Sequence, residues 1–254
     1  MKELIYKLLE IATMGKGLKR TINGYTLRLP TRYFKYFPDN YESDNFEFLA
    51  KSCKPGAVII DIGAHIGVFS AIAAQVTGKT GKVYSFEPAP TTYALLQKTM
   101  VINHEEQFVE TFQKAVGKES GKITFFISDG QADNSNSLVN YKEDRAIHGI
   151  DVEVTSIDNF VSEKKITKLD FIKIDVEGAE YDTLRGAADT FKNLKPVCIV
   201  AIHPEPIAAK GDKLEDIYDF IVGCNYKVMY NKKEFTKAEL SANTKMLDLH
   251  IYPA

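Results

Sequence analysis

The stretch FIKIDVEGAE, residues 171–180, runs from an apolar strand into acid. Asp175, Glu177 and Glu180 follow one another closely, with Gly178 to turn the chain among them. Carboxylates at a strand end can take a proton from an attacking hydroxyl, or hold a divalent metal that lowers the pKa of that hydroxyl. A second set lies in VAIHPEP, residues 200–206, where His203 and Glu205 follow another apolar run. Asp175, Glu177 and His203 are therefore the catalytic candidates, and the same three could hold a metal such as magnesium, although their spacing specifies none. Glu180, in the first turn of the next helix, is accounted for by the helix dipole. Lys173 shares a strand face with Asp175 and could pair with an acid there or cover the sheet.

A different chemistry is written in VIIDIGAHIGVFS, residues 58–70. Asp61 ends an apolar strand, Gly63 permits a tight turn and close approach of a ligand to the backbone, and Gly67 permits close packing of the following helix on the strand. Ala64 and His65 stand where a dinucleotide fingerprint would carry its middle glycine, so a pyrophosphate fits poorly. The next strand, in VYSFEP, ends at Glu87, placed to accept hydrogen bonds from both hydroxyls of a ribose. Strand, glycine turn, helix, strand and terminal acid together describe a cradle for an adenosine-type ligand. His65 could line that cradle or serve the turn alone, and Asn103 reads as a structural cap.

These residues need a sheet whose strand ends converge. From Ala57 onward, short apolar runs (57–61, 82–87, 108–112, 169–175 and 196–202) alternate with helical stretches (67–77, 90–103, 178–193 and 212–223), the pattern of a parallel α/β sheet covered on both faces. YKVMY (226–230) and MLDLHIY (246–252) close the far edge. KITFFIS (122–128) and VEVTSI (152–157) form an inserted β-hairpin, whose connecting loop, residues 129–149, is long enough to be functional or mobile. Residues 1–50 form an amino-terminal helical appendage and aromatic-rich segment that could act as a lid over the site; residues 51–254 form one domain. Tyr33, Tyr36, Tyr41 and His148 are candidates for the acceptor pocket.

The chain has 254 residues, 44% of them hydrophobic, and 32 lysines and arginines against 34 acids, a net charge of −2. No chain-wide field favours nucleic acid or an anionic membrane. Cys53, Cys198 and Cys224 are too scattered for a metal knuckle and suit a reduced compartment. The first helical stretch is too short to span a bilayer and lacks a signal-peptide core, so cytoplasmic residence is expected.

DIGAHIGVFS, VYSFEP, TSIDNF and FIKIDVEGAEYDTLRGA together resemble the FkbM family of S-adenosylmethionine-dependent methyltransferases, from about Tyr33 to the last strand. The resemblance implies a Rossmann-like class I methyltransferase fold, with a mostly parallel seven-stranded sheet whose last strand is antiparallel. It implies S-adenosylmethionine as cofactor, held by the Asp61–Gly67 turn and Glu87, with Ala115 and its neighbours Lys114 and Val116 beside the adenine. It implies O-methylation of a hydroxylated small molecule, a sugar or natural product. A nicotinamide-dependent oxidoreductase is disfavoured by the missing middle glycine and the lack of a Tyr-x-x-x-Lys relay. A binding protein that keeps the fold without turnover is the rival from another class. A nucleic-acid methyltransferase lacks its N/D-P-P-Y/F motif after the fourth strand, and homo-oligomerisation is left open.

Overall fold

The computed structural model describes residues 2–128 and 147–254. Residues 129–146 of the expected loop, and the side chain of His148, lie outside the described residues.

Thirteen strands are described: β1 Leu18–Ile22, β2 Tyr25–Leu29, β3 Val58–Ile62, β4 Lys82–Phe86, β5 Val109–Phe112, β6 Ala115–Val116, β7 Gly121–Ser128, β8 Ile147–Thr155, β9 Phe171–Ile174, β10 Val197–Ile202, β11 Tyr226–Tyr230, β12 Lys233–Glu234 and β13 Leu247–Pro253. Eight form the main sheet, in the order β12-β11-β13-β10-β9-β3-β4-β5. The pairs β3·β4, β4·β5, β3·β9 and β9·β10 are parallel, whereas β13 runs antiparallel to both β10 and β11. The class I arrangement is thus present, with the two-residue β12 added at one edge as an eighth strand.

The uninterrupted apolar runs follow from burial on both faces: all four residues of β9 are buried, as are Ile59, Ile60, Asp61 and Ile62 of β3. After β3 the chain builds outward through β4 and β5, then returns to place β9 on the other side of β3. That reversal leaves a crevice at the carboxyl ends of β3 and β9, where open α/β sheets bind ligands.

The inserted hairpin is β7 against β8, joined in a separate three-stranded sheet by β6, which pairs in parallel with β8. Ser156 follows β8 and caps an unforeseen helix, Ile157–Glu163, by accepting from the Asn159 N–H. The helix expected over 178–193 is two, Glu180–Arg185 and Ala188–Asn193. The break falls at Gly186, where a Cβ would lie 2.1 Å from the Gly117 carbonyl oxygen, so the end of strand β6 presses against the bend. Another unforeseen helix, Pro204–Lys210, follows β10.

In the amino-terminal segment, Ile22, Leu27, Leu29, Phe37, Phe46 and Leu49 belong to the same buried cluster as Ile59 and Phe171 of the sheet and Phe69 of the helix Val68–Thr77. Asn103 adds polar stitching: its side chain accepts from the Arg28 N–H at 2.7 Å and donates to the Arg28 carbonyl at 2.8 Å. No helix among the described residues is long and apolar enough to cross a membrane.

Candidate active site

A cavity of about 490 Å³ opens at the crevice between β3 and β9, within the roughly 300–1,000 Å³ usual for small-molecule sites. The structure brings Gly63, Ala64, His65 and Glu87 to its wall, together with Ala115. Asp175, Glu177 and His203 line the same space. The strand ends bearing the glycine turn and the acids thus converge, as their sequence positions require.

Gly63 has φ +79°, and a Cβ there would stand 1.8 Å from the Asp175 carbonyl oxygen. Only glycine fits, because the turn after β3 and the end of β9 touch backbone to backbone. Gly67 also has positive φ, but the space beside it is filled by Leu96 and Met100 of the helix Pro90–Asn103, whose side chains would come within 3 Å of an added Cβ. Its role is therefore helix-on-helix packing, not helix on strand, and it does not reach the cavity wall. Asp61 does not reach the wall either. It is fully buried, its Oδ2 accepts from the Ser70 hydroxyl at 2.5 Å, and burial lifts its carboxyl to about 6 against the pull of Lys173 and Ser70.

Glu87 is buried at the mouth of the turn. Its Oε2 accepts from the His65 N–H and its Oε1 from the Ala89 N–H, both at 3.0 Å. Burial pushes its carboxyl up to about 7, with those two N–H groups opposing. One hydrogen bond per oxygen leaves each with a further lone pair for a ligand hydroxyl.

At the other strand ends a charged cluster forms. His203 Nδ1 lies 2.7 Å from Glu180 Oε1, and its Nε2 lies 3.7 Å from Asp175 Oδ1. Glu180 is fully buried, and its other oxygen accepts from the Gly178 N–H at 2.8 Å. Its work is to hold the imidazole, a partner 23 residues away that its position in a helix first turn does not reveal. Burial opposes the charged imidazole, but Glu180 and then Asp175 outweigh it and raise the His203 pKa above its usual value.

Lys173, nearly buried on β9, donates to Asp175 Oδ2 at 2.7 Å. Burial works against its ammonium, yet Asp175, Glu42 and Asp61 hold its pKa above the ordinary lysine value. Asp175 in turn is lowered, because Lys173 and His203 outweigh its desolvation. Among the described residues no group of three or more His, Cys, Asp or Glu side chains is placed to hold a metal ion. The expected set of Asp175, Glu177 and His203 is engaged otherwise, with His203 Nδ1 turned to Glu180 and Asp175 Oδ2 to Lys173.

Among the lining residues that escaped sequence reasoning, three stand out. Phe125, from β7, faces the cavity beside Ala115. Phe37 and Glu42 come from the amino-terminal segment along with the expected Tyr41. Glu42 holds a left-handed backbone (φ 43°), a conformation its residue type does not advertise, and accepts from Asn45 Nδ2 at 3.3 Å. Tyr33 is buried in the core and Tyr36 is exposed.

Among proteins of known sequence, the chain is 28% identical over 170 residues to "Methyltransferase 1" of Beauveria bassiana, covering 61% of this chain and 66% of that protein. It is 30% identical over 149 residues to the 2-O-methyltransferase NoeI of Sinorhizobium fredii, covering 54% and 60%. The chain thus spans just under two thirds of the length of these relatives. The crystal structure of methyltransferase FkbM from Methylobacillus flagellatus superposes with a TM-score of 0.52 at 18% identity, over 78% of this chain and 44% of that one, a likeness of fold. Residues 61–228, more than half of the chain and the greater part of the crevice just described, match the methyltransferase FkbM domain, and the chain belongs to that family.

Proposed function

We propose that this chain transfers a methyl group from S-adenosylmethionine to a hydroxyl oxygen of a sugar or natural-product small molecule. The observation that carries the reading is that Glu87 and the Glu180-held His203 open onto one cavity at the switch in strand order. Family membership supports methyl transfer, and the 2-O-methyltransferase named among the relatives supports an oxygen acceptor.

The residues present fit the donor. Glu87 offers a free lone pair on each carboxylate oxygen for the ribose hydroxyls, the open backbone at Gly63 and Ala64 admits close approach, and Ala115 with Phe125 offers an apolar surface for the adenine. When bound, S-adenosylmethionine supplies an electrophilic methyl carbon on a sulfonium. His203 takes the acceptor hydroxyl proton at Nε2, because Nδ1 is held by Glu180 while Nε2, 3.7 Å from Asp175 Oδ1, is beyond hydrogen-bond distance of it. Asp175 is a weaker base, its pKa lowered by Lys173, and instead steadies the imidazolium that forms. Glu177 contacts the acceptor. Phe37, Tyr41 and Glu42 make residues 1–50 a cover that excludes water from the reacting groups. The free cysteines suit cytoplasmic residence.

Titration calorimetry with S-adenosylmethionine and with NAD, on the protein and on Glu87→Ala, tests the reading. Binding of the first alone, weakened by roughly 1–3 kcal/mol in the variant, is expected. NAD binding, or none of S-adenosylmethionine, overturns it; binding without turnover on any hydroxylated acceptor favours the inactive binding protein.

A further inference from the structure

The helix Lys2–Ala12 presents its apolar side to solvent. Leu4, Leu8 and Ile11, on successive turns of one face, are 63%, 57% and 73% exposed, and Ile5 and Met14 are exposed beside them. The polar side faces the protein. Glu10 accepts from the Thr31 hydroxyl at 2.9 Å and pairs with Lys98, and the Tyr6 ring lies 5.8 Å under the Arg32 guanidinium. A surface helix ordinarily buries such a stripe and leaves its charges in water.

Cations border the stripe. Lys7, Lys16 and Lys19 are exposed, and the exposed Lys35 holds its ammonium 4.7 Å over the ring of Tyr36, itself exposed. The chain-wide charge of −2 conceals this local balance: residues 2–20 carry five cations against two acids, with Glu10 engaged by Lys98 and Arg20 by Asp39. A second copy of the chain laid on the stripe would bring like charges together at its margins. A surface of anionic lipid headgroups answers both the apolar face and its basic border, and an exposed tyrosine beside a lysine suits the boundary between acyl chains and water.

We propose that this face docks on an anionic lipid bilayer, the helix lying in the plane of the interface with Leu4, Ile5, Leu8, Ile11 and Met14 inserted. The turn Phe34–Tyr36 leads directly into Phe37, which lines the cavity, so the docking face and the cavity wall are joined by a few residues of chain. Docking of this kind does not depend on the methyl-transfer reading.

The test is co-sedimentation of the full chain with vesicles of phosphatidylcholine alone and of phosphatidylcholine mixed with phosphatidylserine, at low and high salt. Two variants accompany it, Leu8→Glu with Ile11→Glu, and Lys7→Glu with Lys16→Glu. Their side chains are exposed, so circular dichroism and the melting temperature should match the parent protein. The expected result is sedimentation with the serine-containing vesicles only, weakened by salt and roughly tenfold or more by either variant. No sedimentation with anionic vesicles, or equal sedimentation with both kinds, overturns the proposal. A concentration-dependent dimer in analytical ultracentrifugation, dissolved by Leu8→Glu and accompanied by no vesicle binding, also overturns it and assigns the stripe to a second copy.

Discussion

His203 Nδ1 and Glu180 Oε1 stand 2.7 Å apart, and the carboxylate end of that pair is fully buried. A base that must be neutral gains activity as pH climbs through its folded pKa, and Glu180 holds that pKa above the ordinary histidine value. Glu180→Gln keeps an acceptor for Nδ1 but removes the charge. The rising limb of the kcat profile should move to lower pH while its plateau falls roughly 10- to 100-fold, and His203→Ala should cost roughly 100- to 10,000-fold. A profile unmoved by Glu180→Gln would remove His203 from the chemistry.

Glu87 gives a stability prediction with a definite sign. Its carboxyl is raised from 4.5 to about 7, so between those values the folded chain keeps a proton that the unfolded chain has released. Its contribution to stability therefore falls as pH rises through that window and levels off above it, by up to about 3 kcal/mol. Glu87→Gln should flatten this slope in urea titrations run across the window. It should also weaken S-adenosylmethionine binding.

Lys173 neutralises Asp175 and the nearby Asp61 and Glu42 from a nearly buried position. Lys173→Met leaves those acids without their cation, a loss of roughly 3–5 kcal/mol. Because the acids can shed their charge by taking up protons, the deficit should be largest at neutral pH and shrink as pH falls. Chemical denaturation at two pH values reads both the size and the trend.

The two glycines of the turn should respond unequally. At Gly63 an added methyl meets the Asp175 backbone, whereas at Gly67 it meets the ends of the flexible Leu96 and Met100 side chains. Gly67→Ala should cost roughly 1–3 kcal/mol and preserve ligand binding. Gly63→Ala should cost more and abolish binding, since the end of β9 must move. Equal denaturation midpoints for the two variants would refute the backbone contact.

Much of this site was legible because strand periodicity fixes which residues stand at the carboxyl ends: Gly63, Glu87, Asp175 and His203 each end or follow an apolar run. What escaped depended on chain segments far apart in sequence. Glu180 looks like a dipole partner until β10 brings His203 beside it, and Gly186 looks like an ordinary helix residue until the end of β6 crowds it. Asp61 and Gly67 sit in the right motif, yet their side of the turn faces Ser70 and the helix Pro90–Asn103 and not the cavity. Glu42 carries no local signal, since its left-handed backbone is set by packing.

The Asn103 amide, which meets both the N–H and the carbonyl of Arg28, stands in for a third strand beside the β1–β2 hairpin. An open edge is a template on which another chain can add a strand, and two-stranded hairpins have little else to shield them. Asn103 at Arg28 and Gln75, which donates to the Thr26 carbonyl at 3.2 Å, thus occupy from two helices the hydrogen-bonding groups of β2 on which another strand would add, a service that folding stability alone does not measure.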